Sequence, residues 1–158
     1  MEPTNTYTKR EQAALDRALD IIKSKWCVAE EHESFVSPLA ARDYLNLFFA
    51  DKHDREYFVV VFLTSKHDLI ATEVLFAGTI DGAAVYPREV VKAALRHNCA
   101  AVILAHNHPS GAEEASQSDR HITARIDEAM KLIDVRLLDH VIVAPSGRTM
   151  SFAEQGLL

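Results

Sequence analysis

A chain of 158 residues is long enough for one domain that buries its own core. Its 48% hydrophobic and 25% charged residues are the balance of an ordinary globular protein, and no run reaches the ~18 apolar residues of a membrane helix. The net charge of −6, with Lys and Arg scattered and outnumbered, argues against nucleic acid as a direct partner, because duplex binders present a basic face.

The N-terminus, Met1-Glu-Pro-Thr-Asn-Thr6, lacks the basic-then-apolar pattern of a signal peptide, so the expected location is the cytoplasm. Cys27 and Cys99 lie far apart and form no C-x-x-C pair. Neither a disulfide scaffold nor a cysteine zinc site is expected; both read as reduced thiols, with Cys99 in the core.

Residues 1 to about 8 are polar and expected to fray. From Lys9 to Trp26, Ala14, Leu15, Ala18, Leu19, Ile21 and Ile22 recur with helical spacing. Residues 27–37 read as a connector, and Ser37-Pro38 as the cap and first turn of a helix over Leu39 to Ala50. Asp51 to Arg55 is a polar loop. Glu56 to Thr64, rich in Tyr, Phe and Val, predicts a strand buried on both faces. Ser65 to Asp68 predicts its turn, and Leu69 to Gly78 a second strand. Gly82 falls in a loop, and Pro87 at a first helical position opens a helix over Arg88 to Asn98. A strand over Ala100 to His106 follows and is broken by Pro109-Ser-Gly111. Ser116 caps a helix from Gln117 to about Leu132. Then come a strand over Val135 to Val143, a turn at Pro145-Ser-Gly147, a short edge strand over Arg148 to Phe152 and a helical turn at the tail. This order predicts an α/β fold of three layers, helices covering both faces of one mixed central sheet. Residues 1–36 read as an N-terminal helical extension and 37–158 as the main domain. The edge strand or the N-terminal helix could pair two copies in a homodimer.

Residues 105–119, Ala-His-Asn-His-Pro-Ser-Gly-Ala-Glu-Glu-Ala-Ser-Gln-Ser-Asp, carry the chemistry. Residues i and i+2 of a strand share a face, so His106 and His108 put two imidazoles at one point. Pro109 ends the pairing, Gly111 lets the loop turn, and the first turn of the next helix returns Asp119 toward the histidines. Two imidazoles and a carboxylate suit zinc, and three protein ligands leave a fourth position for water, as in catalytic rather than structural sites. An H-x-H pair alone is weak; the proline break and the carboxylate at a helix start give it weight.

His106-Asn107-His108, Ser116 and Asp119 together resemble the JAB/MPN metalloprotease family, whose pattern is H-x-H followed by Ser and Asp, with a Glu upstream of the first core strand. Glu56 stands in that place. Pro87-Arg-Glu-Val90, Ala94-Leu-Arg-His-Asn98, Leu104 to Gly111, Leu138-Asp-His140 and Ser151 to Gly156 are similar to the RadC branch, over roughly residues 38–158. Many members also carry an N-terminal helix-hairpin-helix segment; the first 37 residues here are too short and too poor in glycine for one.

The resemblance implies a cytidine-deaminase-like α/β fold and a Zn2+ cofactor on His106, His108 and Asp119. It further implies Glu56 as the base and Ser116 as a hydrogen-bond partner of the oxyanion. The implied activity is hydrolysis of a peptide or isopeptide bond, with an unidentified peptide or protein as substrate. The alternative is a non-catalytic accessory module on the same fold, associated with DNA repair or recombination. A nucleoside deaminase is disfavoured, because H-x-E with P-C-x-x-C is absent.

Among the remaining residues, Asp54 rivals Glu56, and Ser116 also fits a plain helix cap. Asn107 points away from the histidines and reads as structural. His32, His53 and His67 read as solvated, His97 as a helix-end cation, and His121 as facing elsewhere. His140 reads as a hydrogen-bonded core residue rather than a support for a ligand. Glu113 and Glu114 lie in the loop over the site, where solvation competes with a basic substrate.

Overall fold

The computed structural model describes residues 7–27, 37–78 and 84–158. The polar N-terminus before Tyr7, most of the connector with His32, and Gly82 lie outside them, as does the side chain of Cys27. In chain order the elements are α1 (Lys9–Cys27), α2 (Pro38–Phe48), β1 (Tyr57–Leu63), β2 (Leu69–Ala77), α3 (Pro87–His97), β3 (Ala101–Asn107), α4 (Gln117–Lys131), β4 (Arg136–Val143) and β5 (Thr149–Ser151).

The strands form one sheet in the order β2-β1-β3-β4-β5. β3 and β4 run parallel, joined through α4, and the other pairs are antiparallel. Central position explains composition. β3 is buried at every residue and β1 at all but Tyr57, so neither alternates polar with apolar residues. Edge strand β2 keeps Ile70 and Val74 exposed.

Alternation sends the two sets of side chains to different layers. Val59, Val61, Leu63, Ile103 and Ala105 pack with Ala41, Tyr44 and Leu45 of α2 and with Leu19 and Ile22 of α1. Phe58, Val60, Phe62, Val102 and Leu104 pack with Val90, Ala93 and Ala94 of α3 and with Ile126 and Met130 of α4. The fold is therefore the expected three-layer α/β/α arrangement around a mixed sheet. Phe58, Phe62 and Leu104 are at most 2% exposed. Burying a side chain of this kind contributes about 1.5–3 kcal/mol.

Several ends are shorter than expected, for local reasons. Ser37 caps α2 by accepting from Leu39 N, but Phe49 and Ala50 leave the helix in a turn. α3 stops at His97 because Asn98 takes a left-handed conformation (φ 49°), which asparagine tolerates, and β3 accordingly starts at Ala101. Leu132 caps α4. The tail after β5 is a series of turns, Leu157 N donating to the Phe152 carbonyl. Among the described residues no helix is long and apolar enough to cross a membrane.

Candidate metal centre

β3 ends on the α3/α4 side of the sheet, where the first turn of α4 faces it. His106 is its last residue pointing into that layer and is 1% exposed. His108 follows immediately and is tied to the sheet by its N–H to the Val143 carbonyl (3.1 Å). The loop turns at Gly111 (φ 83°) and returns to α4. There Ser116 and Asp119 form a reciprocal capping box. Asp119 N donates to Ser116 Oγ, and Ser116 N donates to Asp119 Oδ2 (2.7 Å). That box fixes the direction of the carboxylate. His106, His108 and Asp119 are drawn together as expected, and their ligand atoms all lie within 4.8 Å of one another. His106 Nε2 is 2.8 Å from His108 Nε2 and 3.3 Å from Asp119 Oδ1, while His108 Nε2 is 3.7 Å from Asp119 Oδ2.

The rear nitrogen of His108 shows what these atoms are suited to bind. His108 Nδ1 lies 2.9 Å from the Ala112 carbonyl, which can only accept, so Nδ1 carries the hydrogen. In a neutral ring Nε2 then presents a bare lone pair to the other imidazole and the carboxylate. A cation placed between these atoms would be met by all three donors. Two imidazoles and a carboxylate are a donor set that fits zinc. Burial raises the pKa of Asp119, but the hydrogen bond and charge of His106 and the bonds from Ser116 outweigh it. The carboxyl is held well below its usual range and stays ionised.

Glu56 sits half-buried one residue before β1. It lines a cleft of about 630 Å³ together with His108, Ser116, Asp119 and Glu114. Phe58, Val85, Pro109 and Ile122 supply apolar wall, and among the described residues the lining contains no Lys or Arg. The rival Asp54 is absent from this wall. It is exposed and engaged with Arg55 (2.8 Å) and the Tyr57 hydroxyl (2.8 Å). Ser116 Oγ also stands 2.6 Å from Asp119 Oδ2, so its single hydrogen is directed at the carboxylate. Donation to any other oxygen requires that hydroxyl to turn. Glu113 pairs with Arg148 (2.6 Å) across the loop, whereas Glu114 is exposed in the cleft.

The other histidines divide differently from expectation. His53 and His67 are half-buried rather than solvated. His53 Nε2 contacts the Ala50 carbonyl (2.7 Å), and His67 accepts from Arg136 (3.1 Å). His97, at the end of α3, pairs with Glu73 (2.7 Å). His140 is indeed a fully buried, hydrogen-bonded residue, but its partner is His106, Nε2 to Nδ1 at 2.8 Å. Strict alternation in β4 would put His140 on the face opposite Leu137, and the register shift between Val102 and Ile103 brings both to one face. The register of His140 beside Leu104 of β3 is a long-range fact that local spacing does not carry. Asn107 is structural as expected, and its side chain clamps the loop that carries Glu56.

A three-layer mixed sheet whose H-x-H strand end meets a helix-borne carboxylate is the architecture of a JAB/MPN-like α/β domain. Residues 35–157 match the RadC-like JAB domain, and the chain belongs to that family. It is 52% identical over 127 residues to the UPF0758 protein of Aliivibrio salmonicida, an alignment covering 80% of this chain and 56% of the relative. Identity to the UPF0758 protein of Thiobacillus denitrificans is 53% over 126 residues (80% and 55%). For that of Vibrio cholerae strain M66-2 it is 52% over 124 residues (78% and 54%). The chain thus spans little more than half the length of these relatives.

Proposed function

We propose that this domain is a zinc-dependent hydrolase of peptide or isopeptide bonds. The observation that carries the proposal is the convergence of His106 Nε2, His108 Nε2 and the Asp119 carboxylate, the last two residues lining one cleft and His106 buried behind them. His106, His108 and Asp119 would hold the ion. Zinc, when bound, supplies a Lewis acid and lowers the pKa of water toward ~7.

The chain's own residues do the rest. Glu56, on the same wall, would take a proton from water and return it to the departing amine. The Ser116 hydroxyl, once turned from Asp119, would donate to the developing oxyanion. Phe58, Val85 and Ile122 would pack against the substrate and exclude bulk water from the scissile bond. The acidic wall, with Glu56 and Glu114 and, among the described residues, no Lys or Arg, disfavours an anionic substrate.

The test is elemental analysis of protein purified without a metal-binding tag, beside His108→Ala and Glu56→Gln. The expected result is about one zinc per chain in the parent and in Glu56→Gln, and little in His108→Ala. A peptide library cleaved by the parent and spared by Glu56→Gln would identify the base. A parent that takes up no zinc after reconstitution would overturn the proposal and leave a non-catalytic module.

A further inference from the structure

His106 does not meet His108 and Asp119 unaided. Its Nδ1, turned away from the cluster, lies 2.8 Å from Nε2 of His140 on the neighbouring strand. Nδ1 of His140 lies 2.6 Å from Oγ1 of Thr123, and Oγ1 lies 2.6 Å from the main-chain carbonyl of Asp119. This chain of four groups has one consistent arrangement of hydrogens. The carbonyl has none to give, so the single hydroxyl hydrogen of Thr123 belongs to it. Thr123 must then accept from His140, which places the His140 hydrogen on Nδ1. The ring of His140 is fully buried against His106 and Thr123 with, among the described residues, no carboxylate beside it, so it carries that one hydrogen and offers a lone pair at Nε2. That atom must accept from His106 Nδ1, so a neutral His106 has its Nε2 bare and aimed at His108 and Asp119.

We propose that Thr123 and His140 are positioning residues that fix the tautomer and ring plane of His106, so that its Nε2 is the metal donor. The inference rests on the metal-site reading above and adds two residues to it. Packing supports the role. Phe152 stacks on His140 (centroids 4.7 Å apart, planes 21° apart), and Phe58 stacks on His106 (6.2 Å, 13°), so neither ring can flip freely. Thr123 also lies one turn beyond Asp119 on α4. The hydroxyl that sets the hydrogens of the chain thereby ties the helix bearing the carboxylate to the strand bearing His106. Supporting partners of this type typically change metal affinity by about 10–100-fold when removed.

The experiment has two arms. Long-range nitrogen–proton NMR of histidine-labelled protein, treated with chelator and then reloaded with zinc, reads the tautomers directly. Competition with a chromophoric chelator reads zinc affinity for the parent, Thr123→Val, Thr123→Ser and His140→Gln. The expected result is a hydrogen on Nδ1 of His140 in the metal-free parent and on Nδ1 of both His140 and His106 in the zinc form. Thr123→Val should lose the fixed His140 tautomer and about tenfold or more in zinc affinity, and Thr123→Ser should restore both. A His140 hydrogen on Nε2 in the parent, or a folded Thr123→Val that binds zinc as the parent does, would overturn the inference. A parent that binds no zinc would sink the metal reading instead, and the His140 tautomer in the metal-free protein would still decide this one. Should Thr123→Val fail to fold, the parent tautomer and His140→Gln carry the test.

Discussion

Asn107 Oδ1 accepts the backbone N–H of Tyr57 at 2.7 Å, joining the residue between the two histidines to the residue after Glu56. The Asn107 amide also donates to the carbonyls of Lys52 (2.7 Å) and Arg55 (3.0 Å). One side chain thus closes the loop before β1 and sets where Glu56 stands relative to β3. Asn107→Ala should leave three main-chain groups of the loop without this partly buried partner. Unmade buried hydrogen bonds cost about 1–3 kcal/mol each, so even with partial replacement by water the loss should be at least ~2 kcal/mol. Asn107→Asp should fare no better, because a carboxylate cannot donate to two carbonyls. Urea denaturation measures the stability. Zinc uptake in the folded fraction should persist, since none of the ligands is touched. Stability unchanged in both variants would show that the clamp is redundant.

Ser116 is both the cap of α4 and the neighbour of Asp119. Loss of a serine cap costs about 0.5–2 kcal/mol. Ser116→Ala should therefore lose about 1 kcal/mol in the metal-free protein and loosen Asp119, weakening zinc binding several-fold. Ser116→Thr should keep the cap and the zinc affinity. Chemical denaturation and chelator competition on the same samples separate the two effects. If Ser116→Ala changes neither, the capping box does not hold the carboxylate.

Burial pushes the Cys99 thiol above its ordinary pKa. A thiol with so little thiolate and so little exposure should resist alkylation. In a Cys27→Ser variant at pH 8, modification by iodoacetamide should be slow in the native protein and rapid in urea. Fast native labelling would mean that the start of β3 opens readily to solvent.

The fold was legible because its elements follow simple rules. Pro87 opens α3, Ser37-Pro38 opens α2, and unbroken apolar runs mark β1 and β3 as central strands. The inaccurate ends are those decided by one residue's conformation, such as left-handed Asn98, or by pairing, as at short β5. The His106, His108 and Asp119 cluster was legible for a different reason. Its two histidines sit two apart at one strand end, and the carboxylate lies in the first turn of the next helix, so local geometry almost closes the cluster. Glu56 came from family resemblance, and the loop before β1 gave no local ground for preferring it to Asp54; the cleft now does, since Glu56 alone of the two lines it. His140 was legible as a hydrogen-bonded core residue, but its partners and Thr123 were not, because these contacts join residues 34 and 17 apart in the chain.

The same network predicts how the metal-free protein responds to acid. Burial, reinforced by the charge of His106, lowers the pKa of His140 well below 6.5 in the fold, while Asp119 opposes the shift. In the unfolded chain His140 takes up a proton near pH 6.5, and the folded state refuses it. The unfolded state therefore binds more protons, and stability falls as pH drops below about 6.5, by up to ~1.4 kcal/mol per unit for one proton. Asp119 acts lower on the scale and in the same direction. Its depressed folded pKa gives stability that is present above the unfolded value of about 3.9 and is lost as pH falls toward the folded one. Denaturation of chelator-treated protein from pH 7.5 to 3 should show both limbs. His140→Gln should flatten the one between pH 6.5 and 4.5. Asp119→Asn should flatten the one below about pH 4, with a contribution on the order of 2 kcal/mol. Curves for the two variants that run parallel to the parent's would show that neither group resists protonation in the fold.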